Sequence, residues 1–164
     1  MAGQIVNQLQ TDTPGTPVTV LHVSTTSQAT TGTSEEVLAT YTLPANTLSA
    51  NGKAIKITAW GGTATNGNSK SASVRFGGIS GTIVASWSSA LSNGEWIIST
   101  TIVRTGAATQ LSVAMGSYGS TAMSTRGTAP TQTLSNAVDI VVTGTTATSA
   151  GDVTFKGLLV EELN

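Results

Sequence analysis

Short runs in which Val, Ile or Leu alternates with Thr or Ser, cut apart by Asn-Gly and Gly-Gly pairs, constrain this chain more than any other feature. A period of two sends successive side chains to opposite faces of an extended strand. Val18–Val23 opens the series, and Val37, Ala39, Tyr41 and Leu43 share one face of the next run. Ile55, Ile57 and Ala59 then oppose Lys56, Thr58 and Trp60, and Ala72, Val74 and Phe76 oppose Ser71, Ser73 and Arg75. Ile83, Ala85 and Trp87 share a face, and Trp96, Ile98, Thr100 and Ile102 line a long strand ending near Arg104. Leu111, Val113 and Met115 form a stripe on the following strand. Val138, Ile140 and Val142, then Val153 and Phe155 running into Leu158-Leu159-Val160, complete the set. Asn51-Gly52, Asn66-Gly67 and Asn93-Gly94 are predicted to supply the positive φ angles of tight turns. No segment keeps a period of 3.6, so the expectation is an all-β, antiparallel β-sandwich or barrel of about eight to ten short strands.

Pro14-Gly15-Thr16-Pro17 marks a boundary, because each proline removes an amide donor and restricts the residue before it. Residues 1–17 are therefore expected to form an extended N-terminal arm, and residues 18–164 the folded domain. The segment Gly116–Pro130, which contains Tyr118, Met123 and Arg126, shows no strong alternation. It reads either as a long functional loop or as an irregular edge.

Charge narrows the role. Only 9% of the residues are charged, against roughly 25% in ordinary soluble domains. Thr, Ser, Asn, Gln and Gly must build most of the surface, as in proteins that live outside cells or hide their surface in an assembly. Seven basic residues are scattered singly and the formal net charge is -1, so there is no phosphate track for nucleic acid. There are no cysteines to form disulfides or thiolate sites. Met1–Gln8 lacks the basic and apolar regions of a secretory signal, and no apolar run approaches the ~20 residues that span a membrane. Release of a virus particle by lysis would reconcile an extracellular composition with the absence of such a signal, and so would an export signal missing from the sequence, the less favoured expectation because the chain begins with Met1.

Residues for catalysis are sparse. His22 is the one histidine and lies within the first strand, where a structural role is expected. The carboxylates Glu35, Glu36, Glu95, Asp139, Asp152, Glu161 and Glu162 are not paired in sequence and read as surface groups. No metal-ligand spacing and no phosphate loop occur. The expectation is a non-enzyme without catalytic residues, metal or cofactor. Trp60 falls on the polar face of its strand, and Leu38, Val84, Val103, Val141 and Leu158 fall opposite their strands' main apolar sets. If these side chains point outward, the domain associates with itself. Leu38, Trp60, Tyr118 and Arg126 are the candidate oligomer or ligand interface.

The run from Leu38 to Gly61, which contains Tyr41-Thr42-Leu43-Pro44-Ala45-Asn46-Thr47-Leu48-Ser49-Ala50-Asn51-Gly52-Lys53, resembles a segment that recurs in tailed-bacteriophage virion proteins. Asn66-Gly67-Asn68-Ser69-Lys70, Phe76-Gly77-Gly78, Trp96 and Ile102-Val103-Arg104-Thr105-Gly106-Ala107 follow in the same order, so that the resemblance covers roughly residues 35–160. It implies a jelly-roll module that assembles as a homotrimer, as found in capsid decoration (cement) proteins and in tail fibres or spikes. No catalytic residue carries over. The reading it favours is a decoration protein on the outer surface of a phage capsid, bridging major capsid subunits. In that reading Gln4, Ile5, Val6 and Leu9 of the arm would serve as anchors. The alternative is a tail-fibre or receptor-binding module that recognises host glycans through Trp60 and residues 116–130. Leu48 is expected to cap the core from the short crossing after Pro44.

Overall fold

In the computed structural model the described residues are 18–90, 92, 94–122 and 126–163, with the side chain of Arg126 excepted. The arm residues Gln4, Ile5, Val6 and Leu9 lie outside the described residues. Twelve strands run β1 (Thr19–Ser24), β2 (Gln28–Ala29), β3 (Glu36–Leu43), β4 (Ala54–Thr63), β5 (Lys70–Phe76), β6 (Thr82–Ser89), β7 (Glu95–Gly106), β8 (Thr109–Tyr118), β9 (Thr121–Ala122), β10 (Arg126–Thr128), β11 (Val138–Thr146) and β12 (Val153–Glu162). Nine of them have six residues or more, matching the expected eight to ten. The additional β2, β9 and β10 are too short for alternation to register.

The strands form two antiparallel sheets. The larger has the order β1-β12-β4-β7-β8-β10, with β2 beside β12 and β9 beside β8; the smaller has the order β3-β11-β5-β6. Antiparallel pairs β1/β12, β3/β11, β4/β7 and β5/β6 make one ribbon rolled over itself. The connections β3–β4, β4–β5, β6–β7, β10–β11 and β11–β12 pass from one sheet to the other, whereas β5–β6 and the β7–β8 hairpin stay within a sheet. That is the jelly roll. Between the sheets lie Ile55, Ile57, Ile98, Phe155 and Val160 of the larger sheet and Val74, Phe76, Ile140 and Val142 of the smaller. Trp87 and Trp96 belong to this core as the alternation indicates, and Leu48, 1% exposed, caps it.

Several outward assignments from the sequence are corrected by β-bulges. Leu38 is 6% exposed, because Ala39 pairs with Val142 and Val37 with Thr143, leaving Leu38 as the extra residue. The bulge turns Leu38 into the core and Val37 out to solvent. In β12 the bulge falls between Phe155 and Gly157, so Val153 and Phe155 face inward before it and Leu158 and Val160 after it. Val84 is the extra residue opposite Val74 and Arg75, and it too is buried. Val141 sits opposite Arg75 on the outside of the smaller sheet, where the Arg75–Glu35 ion pair (2.8 Å) and its Thr143 contact cover the strand. Leu38→Ala is therefore expected to cost about 2–5 kcal/mol in chemical denaturation, the range for buried Leu truncation. Val37→Thr, at a position exposed on the smaller sheet, should stay within about 0.5 kcal/mol.

The turn residues are partly as expected. Gly52 has φ +89° with nothing near its missing side chain, so it serves the tight turn into β4. Asn46 also has positive φ. Gly67 and Gly94 do not have positive φ. A β-carbon at Gly94 would stand 2.6 Å from the Tyr118 ring, so that glycine makes room for an aromatic side chain.

Candidate functional site

Strand β8 presents its faces the wrong way round for a surface strand. Its inward positions are Gln110, Ser112 and Ala114, and its outward positions are Leu111, Val113 and Met115, which are 56%, 49% and 64% exposed. The buried polar groups are satisfied by the chain that returns over them. The Gln110 amide donates to Gln132 O (2.8 Å) and accepts from Gln132 N (2.9 Å), and Ser112 Oγ lies 2.6 Å from Thr128 Oγ1. Polar residues are therefore favoured inside because their partner there is backbone and hydroxyl. Among the described residues nothing packs over the apolar row outside.

Register carries this row across the larger sheet. Val23, Leu159, Thr58, Ser99 and Met115 lie side by side on five consecutive strands. Glu161, Lys56, Thr101, Val113 and Gly127 form the next row, and Gly157, Trp60, Ile97 and Ser117 another. Val103 pairs with Leu111 at the far end. Two shallow hollows of about 490 Å³ each flank Val113. One is lined by Val103, Leu111, Gly127 and Ala129, the other by Lys56, Thr58, Ile97, Ser99 and Met115, and both share Thr101. Ion pairs border the face: Lys156–Glu95 at 2.7 Å beyond Trp60, and Lys53–Glu162 at 3.0 Å at the opposite end. An apolar centre with a charged rim is the anatomy of a protein interface.

Of the residues singled out in the sequence as outward, Trp60 and Val103 stand on this face. Trp60 is half-buried, and its indole lies over Gly157, where a β-carbon would meet the ring at 2.1 Å. Leu38 is in the core. Tyr118 is also corrected to the core: it is 3% exposed, stacks on Trp87 with ring centroids 4.8 Å apart, and bonds Thr63 Oγ1 at 2.6 Å. Its strand β8 runs further than the alternation indicated, because the small residues Gly116 and Ser117 still pair with β7. The segment 116–130 is thus the edge of the sheet where it is described, with β9 and β10 on β8. Arg126 begins β10 opposite Ala114. Ile97, Leu111, Val113 and Met115 were missed as surface residues, since a period of two does not reveal which face looks inward.

The titratable groups are held by structural partners. His22 stacks on Tyr41 at 4.6 Å, closing the side of the sandwich between β1 and β3, and burial raises the Tyr41 phenol. Hydrogen bonds from Arg75 hold the Glu35 carboxyl below the usual range, as those from Thr31 do for Glu36. Asp139 accepts from Thr42 at 2.7 Å. Asp152, 2% exposed, accepts from the amides of Asn66 (2.7 Å) and Asn68 (2.9 Å). The buried Lys70 ammonium donates to the carbonyls of the same two residues, at 2.7 and 2.9 Å. Burial pushes the Asp152 carboxyl up, but the Asn68 and Asn66 amides and the Lys70 charge outweigh it and hold it below the ordinary range. Among the described residues no three His, Asp or Glu gather into a metal-binding group, and no helix is long and apolar enough to cross a membrane.

A smaller hollow of about 260 Å³ opens beside β6, lined by Ser86, Trp87, Ser88, Ser89, Tyr118, Thr121 and Ala122. The Trp87 indole N–H, buried at its rim, has no hydrogen-bond partner among the described residues.

No family model matches the chain, and no curated protein matches it. Two solved structures are similar to it. One is the CBM2 module of the evolved Dit of Lactobacillus casei BL23 phage J-1, at 11% identity over 74% of this chain and 67% of that one, with a TM-score of 0.38. The other is the metal-free form of lectin I-B4 from Griffonia simplicifolia, at 9% identity over 93% of this chain and 95% of that one, with a TM-score of 0.35. The architecture stands on the strand order above without them.

Proposed function

We propose that this chain is a structural protein of a phage virion, a jelly roll that decorates the capsid and bridges neighbouring major capsid subunits as a homotrimer. The observation that carries the oligomer in this reading is the outward apolar row of β8, which calls for a protein partner. The resemblance of residues 35–160 to phage virion modules supplies the setting. The absence of charge from the outward positions of β7 and β8 supports a lasting contact over a transient one, because obligate interfaces are the more apolar class. Such a protein acts without chemistry: each copy buries surface against the shell, and the assembled capsid is favoured over its parts.

The arm, residues 1–17, completes the proposal by tethering each copy to the shell. Three tethers acting together multiply affinity by about 100-fold or more over one. Deleting residues 2–16 is accordingly expected to weaken capsid binding about 100-fold while leaving the thermal unfolding of the domain unchanged. Co-sedimentation of the protein with undecorated capsids reads this directly, and an unchanged affinity would remove the arm from the mechanism.

A second reading, a module that binds host glycans, draws on two observations: Trp60 on the outer face, and the unpaired Trp87 indole N–H beside a serine-lined hollow. The main face suits it less, since its hollows hold neither carboxylate nor side-chain amide to grip sugar hydroxyls. Saturable glycan binding lost in Trp60→Ala, together with no affinity for capsids, would favour this second reading.

A further inference from the structure

We infer that the outer face of β4, β7 and β8 is where copies of this chain meet one another, so that the face belongs to a second copy and not to the capsid shell. The inference deepens the decoration reading and rests on it for the number of copies, though not for the contact itself.

Four observations give the face this occupant. The first is charge. The outward positions of β7 and β8 between Ile97 and Val103 and between Leu111 and Ser117 carry no charged side chain. This uncharged β7–β8 part of the face, with Lys56 of β4 at its margin, matches itself, whereas a partner of different sequence is selected by complementary charge. The second is shape. Leu111, Val113 and Met115 project, and a hollow of about 490 Å³ lies on each side of Val113. The same surface thus offers both the projections and the recesses that an identical copy needs. The third is extent. Three strands about 4.8 Å apart, over seven residues of about 3.4 Å, give a face of roughly 340 Å² in projection. A standard interface takes about 800 Å² from each partner, so this face supplies the centre of one contact, and the flanking strands β12 and β10 with the ion-paired border supply the remainder. The fourth is permanence. A row of Leu, Val and Met exposed from synthesis onward is an aggregation hazard unless it is covered at once, and a sister copy is the partner present at that moment. The row runs along a single strand, which lets copies pack their β8 strands around one rotation axis.

The test is the mass of the full-length protein in solution, measured by light scattering across a wide concentration range. The wild type is expected to be a multiple of the 16.5 kDa chain. Val113→Lys combined with Met115→Lys should raise the dissociation concentration at least about 100-fold, since like charges would face each other across the contact. Val113→Thr with Met115→Gln, which adds no charge, guards against misfolding and should weaken assembly in the same direction. Val37→Lys, exposed on the other sheet, should leave the mass unchanged. A monomeric wild type, or an assembly that survives both double variants with folded circular dichroism spectra, would overturn the inference. An assembly of two copies that the variants dissolve would support the face and contradict the trimer. An assembled protein that binds no capsid would leave the face standing and sink the decoration reading.

Discussion

Gly61→Ala is expected to lower the melting temperature of the domain by about 6–12 °C, the largest effect of any single methyl group in the molecule. Gly61 lies in the middle of the larger sheet, on β4 between β12 and β7, and pairs directly with Trp96. A β-carbon there would stand 2.0 Å from the Thr154 carbonyl oxygen and 2.5 Å from the Trp96 ring. Neither neighbour can yield. The carbonyl belongs to the β12 backbone, and the Trp96 ring is 2% exposed, donates its N–H to Gly62 O at 3.3 Å, and packs on Trp87. Overpacking of this kind costs about 3 kcal/mol, and each kcal/mol shifts the midpoint of a domain this size by about 2–4 °C. Gly157 makes the informative comparison. Its methyl would meet the Trp60 ring, which is half-exposed and free on its outer side to swing away. Gly157→Ala should thus cost less than Gly61→Ala. Thermal unfolding followed by circular dichroism decides the matter, and equal melting temperatures for Gly61→Ala and wild type would contradict the packing described.

Asp152→Ala is expected to cost about 3 kcal/mol at neutral pH. Asp152 precedes β12 and binds Asn66 and Asn68 on the crossing from β4 to β5, so one carboxylate ties two chain crossings together at one end of the sandwich. Its loss would take the shared acceptor from the half-buried Asn66 and Asn68 amides and leave the buried Lys70 charge without its nearby counter-charge. Breaking such an arrangement from one side costs about 3–5 kcal/mol. The sign of the pH dependence follows from the depressed Asp152 carboxyl. Its contribution is fully present above the unfolded value of 3.8 and disappears as pH falls through the still lower folded value. Denaturant titrations should accordingly show a constant gap between wild type and Asp152→Ala at neutral and mildly acid pH, narrowing below pH 3.8. A gap that widens on acidification would contradict the assignment.

The alternation of the sequence reveals the strands well and their facing only where the ladder is regular. Ile55, Ile57 and Ala59 sit inside and Trp60 outside, as the period of two requires, because β4 carries no bulge against β7. Leu38 and Leu158 reverse because a single extra residue, Leu38 itself in β3 and Lys156 in β12, shifts the phase of everything beyond it. A bulge is set by the pairing partner and leaves no local mark in composition. Tyr118 reads as part of a loop because Gly116 and Ser117 interrupt the apolar pattern while their backbones stay in the ladder. The face of β8 is the deepest case. Leu111, Val113 and Met115 announce a strand, yet Gln110 and Ser112 take the inside because the returning chain at Thr128 and Gln132 offers them partners. That long-range contact decides the candidate site, and no local pattern contains it. Asn66-Gly67, read as a turn with positive φ, instead contributes an amide to Asp152.

Three-dimensional reconstruction of virus particles assembled with and without this chain tests the central claim most directly. The account predicts additional jelly-roll density on the outer surface of the shell, with β4, β7 and β8 of neighbouring copies turned toward one another and Val113 at their contact. Density at the tail alone, or copies on the shell with this face open to solvent, would contradict it.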